Sequence, residues 1–205
     1  MISDPFLEKI KQHLIDHYQC HTIILYGSRA RGDNTQISDY DIVALREKGD
    51  LKRDCRFIDG FYLDVFIYSE DIVKHPDNYL IRIKDGIVLC QKDNLGNGLL
   101  EKIRSIFDAG PVPTPEWEKH EINQWMMKML QRAKQNDIEA HFRRHWLLHD
   151  ALECYFKLRD RWYLGPKESF RWLKSNDLTT YTAFDKALST NAIESIELLI
   201  NHIKE

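Results

Sequence analysis

The chain has 205 residues, 43% of them hydrophobic and 30% charged, with a formal net charge of -3. That length accommodates one large domain or two small ones with buried cores, and the balance excludes a disordered or fibrous chain. The charge deficit falls within residues 1–110 while the remainder balances, so neither half is a basic arm of the kind that holds nucleic acid.

Asp4 and Pro5 read as an N-cap and first helical residue, and Phe6, Leu7, Ile10, Leu14, Ile15 and Tyr18 follow at helical spacing. The apolar run His21 to Tyr26 ends at Gly27-Ser28 and reads as a strand entering a tight turn. Residues 39–45 and 61–68 read as two further strands. Ser69-Glu70-Asp71 caps a short helix, residues 86–90 form a last strand, and Leu99 to Phe107 a helix. Gly110-Pro111-Val112-Pro113-Thr114-Pro115 cannot continue a helix and marks a boundary between residues 1–110 and 111–205.

Beyond it the pattern is helical only. One helix opens at Thr114-Pro115-Glu116 with Ile122, Trp125, Met126, Met129, Leu130 and Ala133 on its core face. A long segment covers 138–162, and shorter helices follow near 166–175, 179–188 and 191–204. Trp125, Trp146, Trp162 and Trp172, with Tyr155, Phe156 and Tyr163, are expected in the bundle core, some of them lining an acceptor pocket. The expected fold class is α+β: a small mixed sheet flanked by helices, then an α-helical bundle.

Four scattered cysteines, Cys20, Cys55, Cys90 and Cys154, form no C-x-x-C pair and suit a reducing compartment rather than a zinc site. Met1 to Pro5 has neither a basic n-region nor an apolar h-region, and no apolar run is long enough for a bilayer. A cytoplasmic protein without membrane contact is expected.

Chemistry concentrates in Gly27-Ser28-Arg29-Ala30-Arg31-Gly32, Ser38-Asp39-Tyr40-Asp41 and Asp64. Asp39 and Asp41 are two apart, so their carboxylates crowd one face of a strand and repel, and a divalent cation relieves that repulsion. Hard oxygen ligands favour magnesium. Asp64 lies among apolar strand neighbours, where a lone carboxylate is costly; on an adjacent strand it completes the same metal site. Gly27 and Gly32 allow close backbone approach, and Ser28 adds a hydroxyl for phosphate oxygens. Arg29 and Arg31 offer charge to a triphosphate, or lie in a solvated loop.

Gly27-Ser28, ten residues, Asp39-x-Asp41 and the later Asp64 together resemble the signature of the DNA polymerase beta-like nucleotidyltransferase superfamily. The fuller run, with Ala30-Arg31-Gly32 and Ser38, is similar to its minimal and antibiotic-modifying, kanamycin-type branches. The resemblance implies a catalytic domain in which Asp39, Asp41 and Asp64 hold Mg2+ and serve catalysis. It also implies that Gly27, Ser28, Arg29, Arg31 and Ser38 bind the nucleoside triphosphate, ATP by default. The second half is similar to the helical domain of kanamycin-type enzymes and to HEPN domains. It implies an acceptor-binding role, a homodimer, and a catalytic glutamate from the helical part, for which Glu153 is the candidate.

The acceptor implied is a small molecule such as an aminoglycoside-like antibiotic, or else a protein hydroxyl. An alternative is a toxin–antitoxin protein whose nucleotidyltransferase domain AMPylates or neutralises a HEPN ribonuclease. Arg144 and His149 match the R-x4-H pattern of such ribonucleases, but five residues apart they do not share a helix face.

Overall fold

The computed structural model describes residues 4–204; residues 1–3, read above for a leader segment, and residue 205 lie outside the described residues. The chain divides into two compact units, Met1–Ala109 and Gly110–Glu205. The first carries a mixed sheet with helices and the second is helical, an α+β architecture.

Helix α1 (Pro5–Tyr18) starts where Asp4 caps it, its Oδ1 accepting from the Phe6 and Leu7 amides at 3.0 and 3.3 Å, and it ends at Gln19 in the left-handed conformation. Strands β1 (Thr22–Tyr26), β2 (Tyr40–Arg46), β3 (Lys52–Ile58), β4 (Phe61–Ser69) and β5 (Ile87–Cys90) form one sheet in the order β3-β4-β2-β1-β5. β2 and β4 run parallel, and the other pairs are antiparallel.

The three central strands are covered on both faces, which is why they read as unbroken apolar runs. Leu7, Ile10 and Leu14 of α1 pack on Ile23, Leu25, Ile42, Leu63 and Val65. The opposite face, with Ile24, Tyr26, Val43, Phe66 and Tyr68, is covered by Leu80 and Ile83 of a 3-10 helix (Asn78–Ile83) and by Leu99, Leu100 and Ile103 of α3 (Leu95–Ala109).

Strand β3 was not expected. Its seven residues, Lys52-Arg53-Asp54-Cys55-Arg56-Phe57-Ile58, lie at the sheet edge, mostly exposed, and carry no apolar period. The legible signal was the turn: Asp59 and Gly60 both have positive φ, 49° and 85°, and join Ile58 to Phe61 as a two-residue hairpin.

The second unit contains α4 (Glu116–Ala133), α5 (Ile138–Leu158), α6 (Pro166–Asn176), α7 (Leu178–Thr190) and α8 (Ile193–Ile203). Its core joins Met126, Leu130, Leu148, Leu152, Tyr155, Phe184 and Ile200. Trp125 and Trp172 pack partly buried against that core. Trp146 departs from the expectation of burial: it is exposed on α5, with its indole Nε1 donating to Asp150 at 2.6 Å. No helix among the described residues is long and apolar enough to cross a membrane.

Candidate functional site

The sheet register brings together residues far apart in sequence. Asp41, second residue of β2, pairs with Asp64 of the parallel strand β4 on one side and with Tyr26, last residue of β1, on the other. Cross-strand partners point to the same face, so the Asp41 and Asp64 carboxylates stand side by side. Asp39 precedes β2, which begins at Tyr40, and therefore stands at the mouth of the strand rather than within it.

Gly27 follows Tyr26 with φ 74° and opens a five-residue helix, α2 (Gly27–Arg31), in place of a simple turn. A β-carbon added at Gly27 would overlap Asp41 Oδ2 and approach its Cγ and Cβ at 3.1 and 3.3 Å. The bend is thus pressed against the Asp41 carboxylate, and only glycine tolerates both the dihedral and the contact. Ser28 sits in the first turn of α2, and its carbonyl accepts from the amides of Gly32 and Asp33. Gly32 closes α2 at φ 77°.

Burial first, then the Asp39 and Asp64 carboxylates, push the Asp41 carboxyl up to about 6, with Arg31 and Arg82 pulling the other way. The raised value thus reflects burial first and repulsion among the carboxylates second. A bound cation would relieve that repulsion.

The expected phosphate ligands separate. Arg31 forms an ion pair with Asp33 at 3.5 Å and still acts electrostatically on Asp41. Arg29 turns to the backbone. Its Nη2 and Nε donate to the Ser38 carbonyl at 2.8 and 3.1 Å, and Nε also reaches the Asp39 carbonyl at 3.2 Å. The same guanidinium lies 3.7 Å above the Tyr40 ring, whose hydroxyl donates to the capping Asp4 at 2.7 Å. Arg29 therefore braces the segment that presents Asp39. The Ser38 hydroxyl is used inside that loop, accepting from the Thr35 amide at 2.8 Å.

Two cations at this face had no sequence signal. Arg53 of the unexpected edge strand holds Asp64 through two bonds, Nε to Oδ1 and Nη2 to Oδ2, each 2.8 Å. Arg82 of the 3-10 helix lies 3.4 Å over the Tyr79 ring and acts on both Asp41 and Tyr26. Only strand register and helix packing bring either one here. Among the described residues no group of three or more His, Cys, Asp and Glu side chains stands arranged as a metal cage; Asp64 is engaged by Arg53 instead.

In the helical unit, Glu153 lines a cavity of about 440 Å³ with Glu118, Glu121, Asp150, Lys157 and Trp125. Lys157 pairs with Glu118 at 2.6 Å. Arg144 donates to the Ala133 carbonyl at 3.0 Å, while the exposed His149 ring contacts Asp150 at 2.7 Å.

Comparison with curated proteins yields no match. Among solved structures, 97% of the chain aligns with 74% of a nucleotidyltransferase-like protein from Exiguobacterium sibiricum, at 12% identity and a TM-score of 0.45. Residues 8–94, which contain Gly27, Ser28, Asp39, Asp41 and Asp64, match the family model described as Polymerase beta, Nucleotidyltransferase, and this match supports nucleotidyl transfer as the chemistry of the N-terminal unit.

Proposed function

We propose that this protein is a magnesium-dependent nucleotidyltransferase that moves a nucleoside monophosphate, AMP from ATP by resemblance, onto a hydroxyl of a small-molecule acceptor. The observation that carries the reading is the pairing of Asp41 with Asp64 across parallel strands, beside a glycine bend that touches Asp41.

The chemistry of the donor set suits the ion: all three side chains offer hard carboxylate oxygens, and Asp41 and Asp64 share one face of the sheet. Asp39, Asp41 and Asp64 would hold it, and when bound it neutralises phosphate charge and fixes the attacking and leaving oxygens of an in-line displacement. The chain's own groups supply position. Gly27 lets backbone approach the phosphates, Ser28 offers a hydroxyl, and Arg31 and Arg82 add positive charge beside Asp41. Arg29 keeps Asp39 in place through the carbonyls it holds.

In the reaction the acceptor oxygen bonds to the α-phosphorus, the bond from that phosphorus to pyrophosphate breaks, and a carboxylate takes the hydroxyl proton. Asp64 is the candidate base. Taken by itself, the acidic, Trp125-walled cavity of the helical unit suits a polycationic small molecule such as an aminoglycoside-like compound.

The test is incubation with Mg2+ and ATP labelled at the α-phosphate against aminoglycosides, lincosamides and cell lysate. Label on an acceptor supports the reading. Transfer of a γ-phosphate label instead contradicts it.

A further inference from the structure

Arg53 and Asp64 form a pair of unequal partners. The Arg53 side chain is 52% exposed, on an edge strand with β4 as its single neighbour, while the Asp64 side chain is 16% exposed on an inner strand. In the register Asp64 faces Cys55 and Arg53 faces Phe66, so the guanidinium reaches diagonally to the carboxylate, passing 4.9 Å from the Phe66 ring. The carboxylate stands on an inner strand, while the guanidinium is carried on a long stem with several rotatable bonds.

Both oxygens of Asp64 are occupied by this fork. A cation shared by Asp41 and Asp64 competes with this fork for the Asp64 charge: each oxygen already gives one acceptor position to Arg53, and a divalent ion on the remaining positions sets two cations against one carboxylate. The guanidinium, weakened in its hold on Asp64, then stands on the carboxylate face, where a cation-bound triphosphate brings more negative charge than one divalent ion cancels. Guanidinium binds phosphate oxygens with the same two-pronged geometry it uses for carboxylate.

We infer that Arg53 is an exchange residue: it neutralises Asp64 while the site is empty of nucleotide, and transfers to a phosphate oxygen when the cation–nucleotide complex binds. The inference rests on the cation-binding reading of Asp39, Asp41 and Asp64 proposed above. Arg53 thus opposes binding of the bare cation and favours binding of the cation with nucleotide. This couples metal occupancy to the presence of substrate, because Arg53 already compensates the Asp64 charge in the bare site.

The coupling has a signature that a merely structural ion pair lacks, namely effects of opposite sign. Mn2+ binding to the full chain is followed by loss of the free-ion electron paramagnetic resonance signal, with and without a non-hydrolysable ATP analogue. Arg53→Ala is expected to bind Mn2+ alone about fivefold more tightly, the worth of removing one competing half-exposed ion pair. The same variant is expected to bind the Mn2+–analogue complex about fivefold more weakly, for want of one charge-assisted phosphate contact. Arg53→Lys, which keeps charge but not the fork, falls between on both measures. Circular dichroism establishes that each variant is folded, and Arg53→Gln replaces Arg53→Ala if that variant is not. Both affinities moving in one direction, or neither moving, while Asp41→Asn loses Mn2+, overturns the exchange and leaves the cation site standing. Asp41→Asn retaining wild-type Mn2+ affinity overturns the cation site and the exchange together.

Discussion

The backbone of Gly27 lies against the carboxylate of Asp41, with no room for a β-carbon between them. The end of β1 and the start of β2 are therefore matched in shape as well as in register. Gly27→Ala meets two penalties, a left-handed φ that costs an L-residue about 1–2 kcal/mol and displacement of Asp41. The expected result is a lower midpoint in urea together with weakened Mn2+ binding and nucleotidyl transfer. Unchanged stability and cation affinity in that variant would remove the glycine from the site.

Asp41 makes stability depend on pH in a definite direction. Its carboxyl titrates near 3.8 in the unfolded chain and near 6 in the folded one, so the folded state holds the extra proton between those values. Stability from this group is present in acid and is lost as pH rises through about 6, by on the order of 1–3 kcal/mol. Asp41→Asn should flatten that part of the profile and raise stability at pH 7, while abolishing transfer. Added Mg2+ should stabilise the wild type at pH 7 and leave the variant unmoved. Urea melts from pH 4.5 to 8 with and without the ion check all three outcomes.

Arg29 is expected to act through Asp39 rather than through substrate. Arg29→Ala releases the Ser38 and Asp39 carbonyls and uncovers Tyr40, at a cost of about 1–3 kcal/mol for charge-assisted bonds partly screened by solvent. Arg29→Lys restores charge but not the fork and should recover little. If Arg29 bound phosphate directly, lysine would recover nucleotide affinity; measurement of both variants' nucleotide and Mn2+ affinities separates the two roles.

Asp177 is the corresponding fixed point of the helical unit. It caps α7 through the Thr180 amide and hydroxyl at 3.0 and 2.7 Å and accepts from the Tyr155 hydroxyl at 2.6 Å. Burial alone would raise its carboxyl, but these hydrogen bonds outweigh burial and hold it below the usual range. A depressed carboxyl stabilises above the unfolded value of 3.8 and loses that contribution as pH falls below it. Asp177→Ala should cost about 1–3 kcal/mol as cap and network are lost together, seen as earlier loss of helical circular dichroism in urea. Tyr155→Phe should cost less, leaving the cap intact.

The α+β class, the strands near Thr22–Tyr26, Tyr40–Arg46 and Phe61–Ser69, and the helices after Pro115 were legible because each carries a local signal. Continuous apolar runs mark strands buried on both faces, Asp4 marks a cap, and Ile122, Met126 and Met129 recur at helical spacing. The spacing of Gly27, Ser28, Asp39, Asp41 and Asp64 was visible in the same way, as residue types whose chemistry requires company. What surrounds them was decided in three dimensions. Strand β3 is held by backbone pairing at the sheet edge and shows no apolar period, so Arg53 had no visible reason to meet Asp64. Arg29 could be read as a phosphate ligand until folding turned it to the Ser38 carbonyl, and Arg82 acts electrostatically on Asp41 from a 3-10 helix packed over the sheet. Apolar periodicity reports which residues leave water, and is silent about which charges meet. Contacts between charges are set by register and packing among segments distant in the chain.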